Sequence, residues 1–446
     1  MQVFSALFLV VGLLLFMYKE KTYCCYVIFW LFFFPFVVNL GFKLQTDTYY
    51  NILAWCNYYN SLVFLFLVCH NLKKPTVNKW IWGLLAIIVL LFAYSAFLAK
   101  VRNTDYVENI KYMYSNFSNV FFLINLFLLK PSLAKIRKWA YCIFVIELII
   151  AFFQMLGFFQ YSVRQDEGMA NLSIITGTFI RNNIFAEVLT ILFLFLLYFQ
   201  IKINEKITKK YWVFTILVFY LVYESGIRTA LLAFVLAFGC LYFFRPTKLP
   251  YLKTKLALFA FLLMLCFNSN VKSILSGEMT YDSQVTSSAD RQANLLNIFR
   301  DKDYLSENTT IYYSIFVLSY FEENPVLGPG LLYSNGESGY GNLVNTKSGN
   351  LTDATLAIYC CETGIIGIAL FLALYYVLLF KINENRKGAL ILFLYLFLIT
   401  ITDPGLFFLP NTCLFYTLIY FDKVGFKRYK KYEISKRFKT LSQSCI

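Results

Sequence analysis

The sequence predicts an all-α polytopic membrane protein of roughly 12–13 transmembrane helices with one large, partly helical outer loop. Three observations predict it. Hydrophobic residues make up 59% of the 446 residues, more than the roughly half that soluble domains reach with glycine counted. Apolar runs of about 17–25 residues recur from end to end, the length that crosses roughly 30 Å of hydrocarbon. The polar segments between them alternate in charge. KEK (19–21), HNLKKPTVNK, KPSLAKIRK, QIKINEKITKK, RPTKLPYLKTK, KINENRKG and the tail KVGFKRYKKYEISKRFK hold most of the 40 Lys/Arg and few of the 25 Asp/Glu. A Lys/Arg bias of this kind marks the cytoplasmic side. The net charge of +15 is therefore read as topology, and no nucleic-acid partner is expected.

The expected spans are 2–18, 23–40, 52–69, 80–99, 112–129, 139–159, 184–200, 211–223, 229–244, 256–270, 356–380, 389–403 and 405–421. The first lacks the basic start and small-residue cleavage site of a signal peptide, so it is expected to be an anchor. The eighth is short, and Pro410 interrupts the last. The organisation is thus ten helices in 1–270, an outer loop at 271–355, three helices in 356–421 and a basic cytoplasmic tail at 422–446. With thirteen spans the N-terminus lies outside. The tail either touches anionic headgroups or is simply solvated.

The loop 271–355 is long enough to need a function, since structureless loops beyond about 15 residues are uncommon. A polar stretch, SGEMTYDSQVTSSADRQ, opens it, and RQANLLNIFRDKDYL follows with apolar residues at helical spacing. IYYSIFVLSYFEE (311–323) is apolar but too short to span. Then comes ENPVLGPGL (323–331), where Pro325, Gly328 and Gly330 form a turn-rich structural elbow that redirects the chain.

The residue inventory limits the chemistry. Almost all eleven cysteines fall in spans and none in 271–355, so no outer disulfide framework or zinc pattern is expected. His70 is the only histidine and lies on the inner face, which excludes a His-based metal site or Ser-His-Asp triad outside. No metal and no cofactor are expected. The outer arginines are few, and Arg181 and Arg228 flank apolar spans. They either snorkel to headgroups or face a polar cavity, where guanidinium groups suit phosphate oxygens. Arg228 sits in a minimal turn, YESGIRT, and Arg164, Arg181 and Asn182 in the irregular segment 161–183. Asp353 and Glu362 lie in LTDATLAIYCCETGIIGIALF. Asp353 is either a helix N-cap or a working carboxylate. Glu362 lies about 13 Å further along a helix, deep enough to require a partner, for which an arginine is the natural choice.

Five features occur in an order that resembles one family: GTFIRNNIFAEVL, SGIRTALLAF, an outer loop opening with an Arg291-bearing helix, ENPVLGPGL, and TDATLAIYCCETGIIG. Together they are similar to the O-antigen ligase/polymerase superfamily, in particular the Wzy-type polymerases of polysaccharide repeat units. The resemblance covers roughly residues 170–380 and implies a glycosyltransferase, multi-pass in the bacterial inner membrane, with the large loop periplasmic. Its implied partners are undecaprenyl-pyrophosphate-linked oligosaccharides, membrane lipids and a chain-length regulator. It implies that Arg181 and Arg228 hold the pyrophosphate, with Asp353 the third catalytic residue. Arg291, Asn182, Arg164 and Glu362 are expected to bind substrate. The ligases carry a histidine where this chain has Asp353, a departure that favours the polymerase. The alternatives are a ligase acting on lipid A–core and, in a different class, a lipid-linked oligosaccharide flippase. The absence of evident repeat symmetry argues against the flippase.

Overall fold

The computed structural model describes residues 2–32, 46–71, 79–158, 175–179, 182–204, 208–225, 227–243, 321, 324–331, 355–383, 386–401, 403 and 405–425. Among these the regular structure is helical throughout. The helices are α1 (Gln2–Tyr18), α2 (Tyr23–Phe32), α3 (Thr46–Asn71), α4 (Lys79–Arg102), α5 (Tyr106–Phe117), α6 (Val120–Leu129) and α7 (Leu133–Met155). They continue with α8 (Asn182–Asn204), α9 (Lys209–Glu224), α10 (Arg228–Phe243), α11 (Thr355–Tyr376), α12 (Arg386–Thr400) and α13 (Leu409–Tyr420). Four described helices are long and apolar enough to cross a membrane, or five if the bent pair α5–α6 counts as one span. The protein is thus an all-α polytopic membrane protein. The expected span 256–270 and the loop helix around Arg291 lie outside the described residues.

Helix α8 is the axis of the bundle. It is apolar on every side, FAEVLTILFLFLLYF, so no face is left for lipid or water. Its spanning stretch is wholly buried, against 39% for that of α4 or α11. Helices α7, α9, α10, α12 and α13 surround it. In the same core, α1, α2, α3 and α6 pack around Tyr23, whose hydroxyl bonds Asn60 and accepts from Asn125 at 3.0 Å.

The expected span 112–129 is not a single straight helix. Helix α5 starts earlier, at Tyr106, where Asp105 caps it by accepting from the amides of Val107 (2.7 Å) and Glu108 (3.3 Å). It bends by 53° into α6 at Ser118–Asn119. Buried Asn119 pins the bend to α13, donating to the Thr412 hydroxyl at 3.2 Å and accepting from Tyr416 at 3.4 Å. The apolar period runs through the bend, so the hydropathy pattern conceals it.

Candidate functional site

The elbow and α11 solve one problem together. Helix α11 is broken at Gly364, which has φ 60° and ψ −164°. A break inside a span frees backbone groups that hydrocarbon cannot satisfy, each at a cost of several kcal/mol. The elbow satisfies them. Pro325 and Val326 carbonyls accept from the amides of Ile365 (2.8 Å) and Ile366 (3.3 Å), and the Gly330 amide donates to the Glu362 carbonyl at 3.2 Å. The Tyr94 hydroxyl from α4 lies between the two segments, 2.7 Å from the Thr363 carbonyl and 3.1 Å from that of Leu327.

Contact this close demands glycine on both sides. A Cβ at Gly328 (φ +73°) meets the Glu362 and Cys361 carbonyls, and one at Gly364 meets Val326 and the Gly328 amide. The elbow is then tied to α4 by Arg102, which donates to the Asn324 side chain (3.0 Å) and to the Gly328 carbonyl (2.6 Å). Gly330 (φ +112°) rests on the Arg102 stem. Glu362, whose carbonyl takes part in this joint, is 0% exposed and lies close to Tyr112 of α5.

A second joint forms at the start of α8. Asn182, its first residue, donates from Nδ2 to the Ser225 carbonyl at 2.9 Å. Ser225 closes α9 in the short turn that leads to Arg228, the first residue of α10. One hydrogen bond thus ties the residue after Arg181 to the turn before Arg228. Asn183 donates to Asp403 at 2.8 Å, which brings in the α12–α13 connection. One turn below, buried Glu187 accepts from Asn411 at 2.7 Å. Upstream, the turn 175–179 is held on α7 by buried Glu147 and Gln154. Phe407 of the same α12–α13 connection packs on Tyr359 of α11 at 5.7 Å between centroids, linking the two joints.

The expected site residues divide accordingly. Pro325, Gly328, Gly330, Glu362 and Asn182 are described and belong to the joints above. Arg228 is described as the first residue of α10, and its side chain lies outside the described residues, as do Asp353, Arg181, Arg291 and Arg164. Sequence reasoning missed Tyr94, Arg102, Tyr112, Glu147, Gln154 and Asp403. A usable signal existed for two of them: Glu147 and Gln154 are polar residues seven apart within an apolar span, and such residues point inward. Among the described residues no group of three His, Cys, Asp or Glu is placed to hold a metal.

Fold and site together define a polytopic helical membrane protein in which, among the described residues, the elbow and the start of α8 are each held by side-chain hydrogen bonds. The family model for O-antigen ligase, Wzy_C, matches residues 213–372. Over these residues the chain is similar to the O-antigen ligase family. The match includes the turn with Arg228, residues 271–355 with the elbow, and the broken helix, whereas Arg181 and Asn182 precede it. No curated protein matches the chain significantly.

Proposed function

We propose that this chain is a polysaccharide polymerase. It joins undecaprenyl-pyrophosphate-linked oligosaccharide repeat units at the periplasmic face of the inner membrane. The observation that best supports this reading is the Asn182–Ser225 hydrogen bond, because it joins the first residue of α8, which follows Arg181 in the sequence, to the turn before Arg228. A pair of arginines acting together would suit a pyrophosphate, whose oxygens accept paired N–H donors.

The chemistry asks little of the protein beyond positioning and charge. An acceptor sugar hydroxyl attacks the anomeric carbon of the donor glycan. The bond from that carbon to the pyrophosphate oxygen breaks, and undecaprenyl pyrophosphate leaves with the electron pair, held by Arg181 and Arg228. The proton of the hydroxyl passes to the Asp353 carboxylate as general base. A single displacement inverts the anomeric centre. Neither a metal nor a cofactor enters this scheme. Arg291, Arg164, Asn182 and Glu362 bind or frame the substrate, and the elbow sets the position from which the loop reaches Asp353.

Glycolipid profiles of a deletion strain test the reading. Loss of a polymerase leaves single repeat units on the final acceptor. Loss of a ligase leaves polymer on the carrier, and loss of a flippase leaves units trapped inside. Asp353→Asn is expected to slow chain growth severely, and near-normal growth would leave Asp353 as a helix cap.

A further inference from the structure

Two side chains of α7 grip one three-residue segment. Glu147 and Gln154 are seven residues apart, about 10 Å along one helix face, and are 1% and 6% exposed. Glu147 Oε2 accepts from the Thr178 amide at 3.0 Å, and its Oε1 accepts from the Thr178 hydroxyl at 2.5 Å. Gln154 Oε1 accepts from the amides of Thr176 (3.0 Å) and Gly177 (2.8 Å). Its Nε2 donates to the Gly177 carbonyl at 2.9 Å and to the Thr176 hydroxyl at 3.3 Å. Gly177 has φ +56°, and a Cβ there meets Phe185 and Glu147. The segment therefore has one conformation available, and three amides, a carbonyl and two hydroxyls report to two side chains.

Burying polar groups among apolar helices is costly, so their retention calls for a use. A connection that only had to cover the bundle could be held by apolar contacts. This one ends three residues before Asn182, whose side chain locks onto the Arg228 turn.

We propose that Glu147 and Gln154 are positioning residues for the donor pyrophosphate site, an inference that rests on the polymerase reading above. They fix the turn 175–179 and hence, three residues further on, the position of Asn182, whose side chain bonds the turn before Arg228. Neither touches substrate. Effects of this kind are large because a misplacement of about 1 Å can cost about a hundredfold in rate.

The test uses the full chain in phospholipid vesicles with undecaprenyl-pyrophosphate-linked repeat units, and reads two quantities. The first is amide hydrogen exchange over 175–182. The second is the kinetic split between donor and acceptor. Glu147→Ala and Gln154→Ala are expected to speed exchange at 176–178. They should also lower kcat/KM for the donor by about tenfold or more, chiefly through donor KM, with acceptor KM unchanged. Glu147→Gln keeps an acceptor for the Thr178 amide and is expected to restore donor KM to within about threefold of wild type. Should an alanine variant fail to accumulate, the glutamine variant carries the test. The proposal is overturned if the turn loosens while donor KM holds, or if the glutamine variant restores folding but not donor KM. Wild-type protein that transfers no glycan refutes the polymerase reading instead, and the inference falls with it, while the exchange data still report whether the grip exists.

Discussion

At the elbow end of the bundle, Tyr94, Arg102, Gln154 and Asn182 all donate to backbone carbonyls of irregular segments. At the opposite end, part-buried side chains of neighbouring elements bond each other. Tyr198 of α8 bonds both oxygens of Asp422, at 2.8 and 3.0 Å, just beyond α13, and Arg137 of α7 reaches Gln200 of α8 at 3.5 Å. Side-chain pairs hold helices against helices. Bonds to backbone hold connections in shapes the chain would not otherwise keep. Residues matched by the family model, among them Ser225, the elbow and the broken helix, fall on the elbow end.

The largest effects should follow from the arginines. Arg228→Ala or Arg181→Ala is expected to reduce chain growth by about a hundredfold or more, the usual cost of removing a group that stabilises developing negative charge. Protein should remain in the membrane, and polymer length on gels provides the readout. Normal-length polymer would remove the donor-site assignment.

Gly328→Ala tests the elbow itself. Its Cβ has to displace the α11 backbone at a positive φ, which is expected to cost about 3 kcal/mol by thermal unfolding in detergent, combining overpacking with backbone strain. Gly83 of α4 provides the contrast, with only Trp80 within reach at 3.9 Å. Gly83→Ala should be neutral or stabilising by up to ~1 kcal/mol.

Arg102→Ala removes two bonds to the elbow and is expected to cost about 1.5–3 kcal/mol, the range for hydrogen bonds from charged groups. Chain growth should fall with it, because the elbow loses its tie to α4.

The smallest effect on transfer belongs to the other end. Burial raises Asp422 from the usual carboxylate value of 3.8 to about 7, against opposing pulls from Tyr198, Lys202 and Asn383. The folded state then keeps a proton that the unfolded chain loses between those values, so stability falls as pH rises from about 4 to 7. Asp422→Asn should flatten this slope in pH-resolved melts and leave chain growth nearly unchanged. A large loss of growth would mean that the two ends do not divide the work as described.

Much of the bundle was legible because a membrane imposes a length and a charge bias on every span. The helical positions of α1, α4, α8 and α9 follow the apolar runs closely. The break in α11 was not legible. Gly364 and Gly367 in an apolar run read as small residues for close helix packing, and nothing local signals that Pro325 and Val326, some forty residues earlier, complete the hydrogen bonds. Arg102 was hidden for the same reason: an arginine ending a span reads as a headgroup contact, and its partners lie in a distant loop. Asn182 was legible only through its motif context, since its partner, the Ser225 carbonyl, depends on how two helix ends meet.

The central claim is that the elbow end transfers glycans from a lipid-pyrophosphate donor. The most direct test is reconstitution of the purified chain in vesicles with undecaprenyl-pyrophosphate-linked repeat units alone. The account predicts a ladder of lengthened lipid-linked glycans with one undecaprenyl pyrophosphate released per linkage, lost in Arg228→Ala. Repeat units that stay single in the wild type, or a ladder that survives in Arg228→Ala, would contradict it.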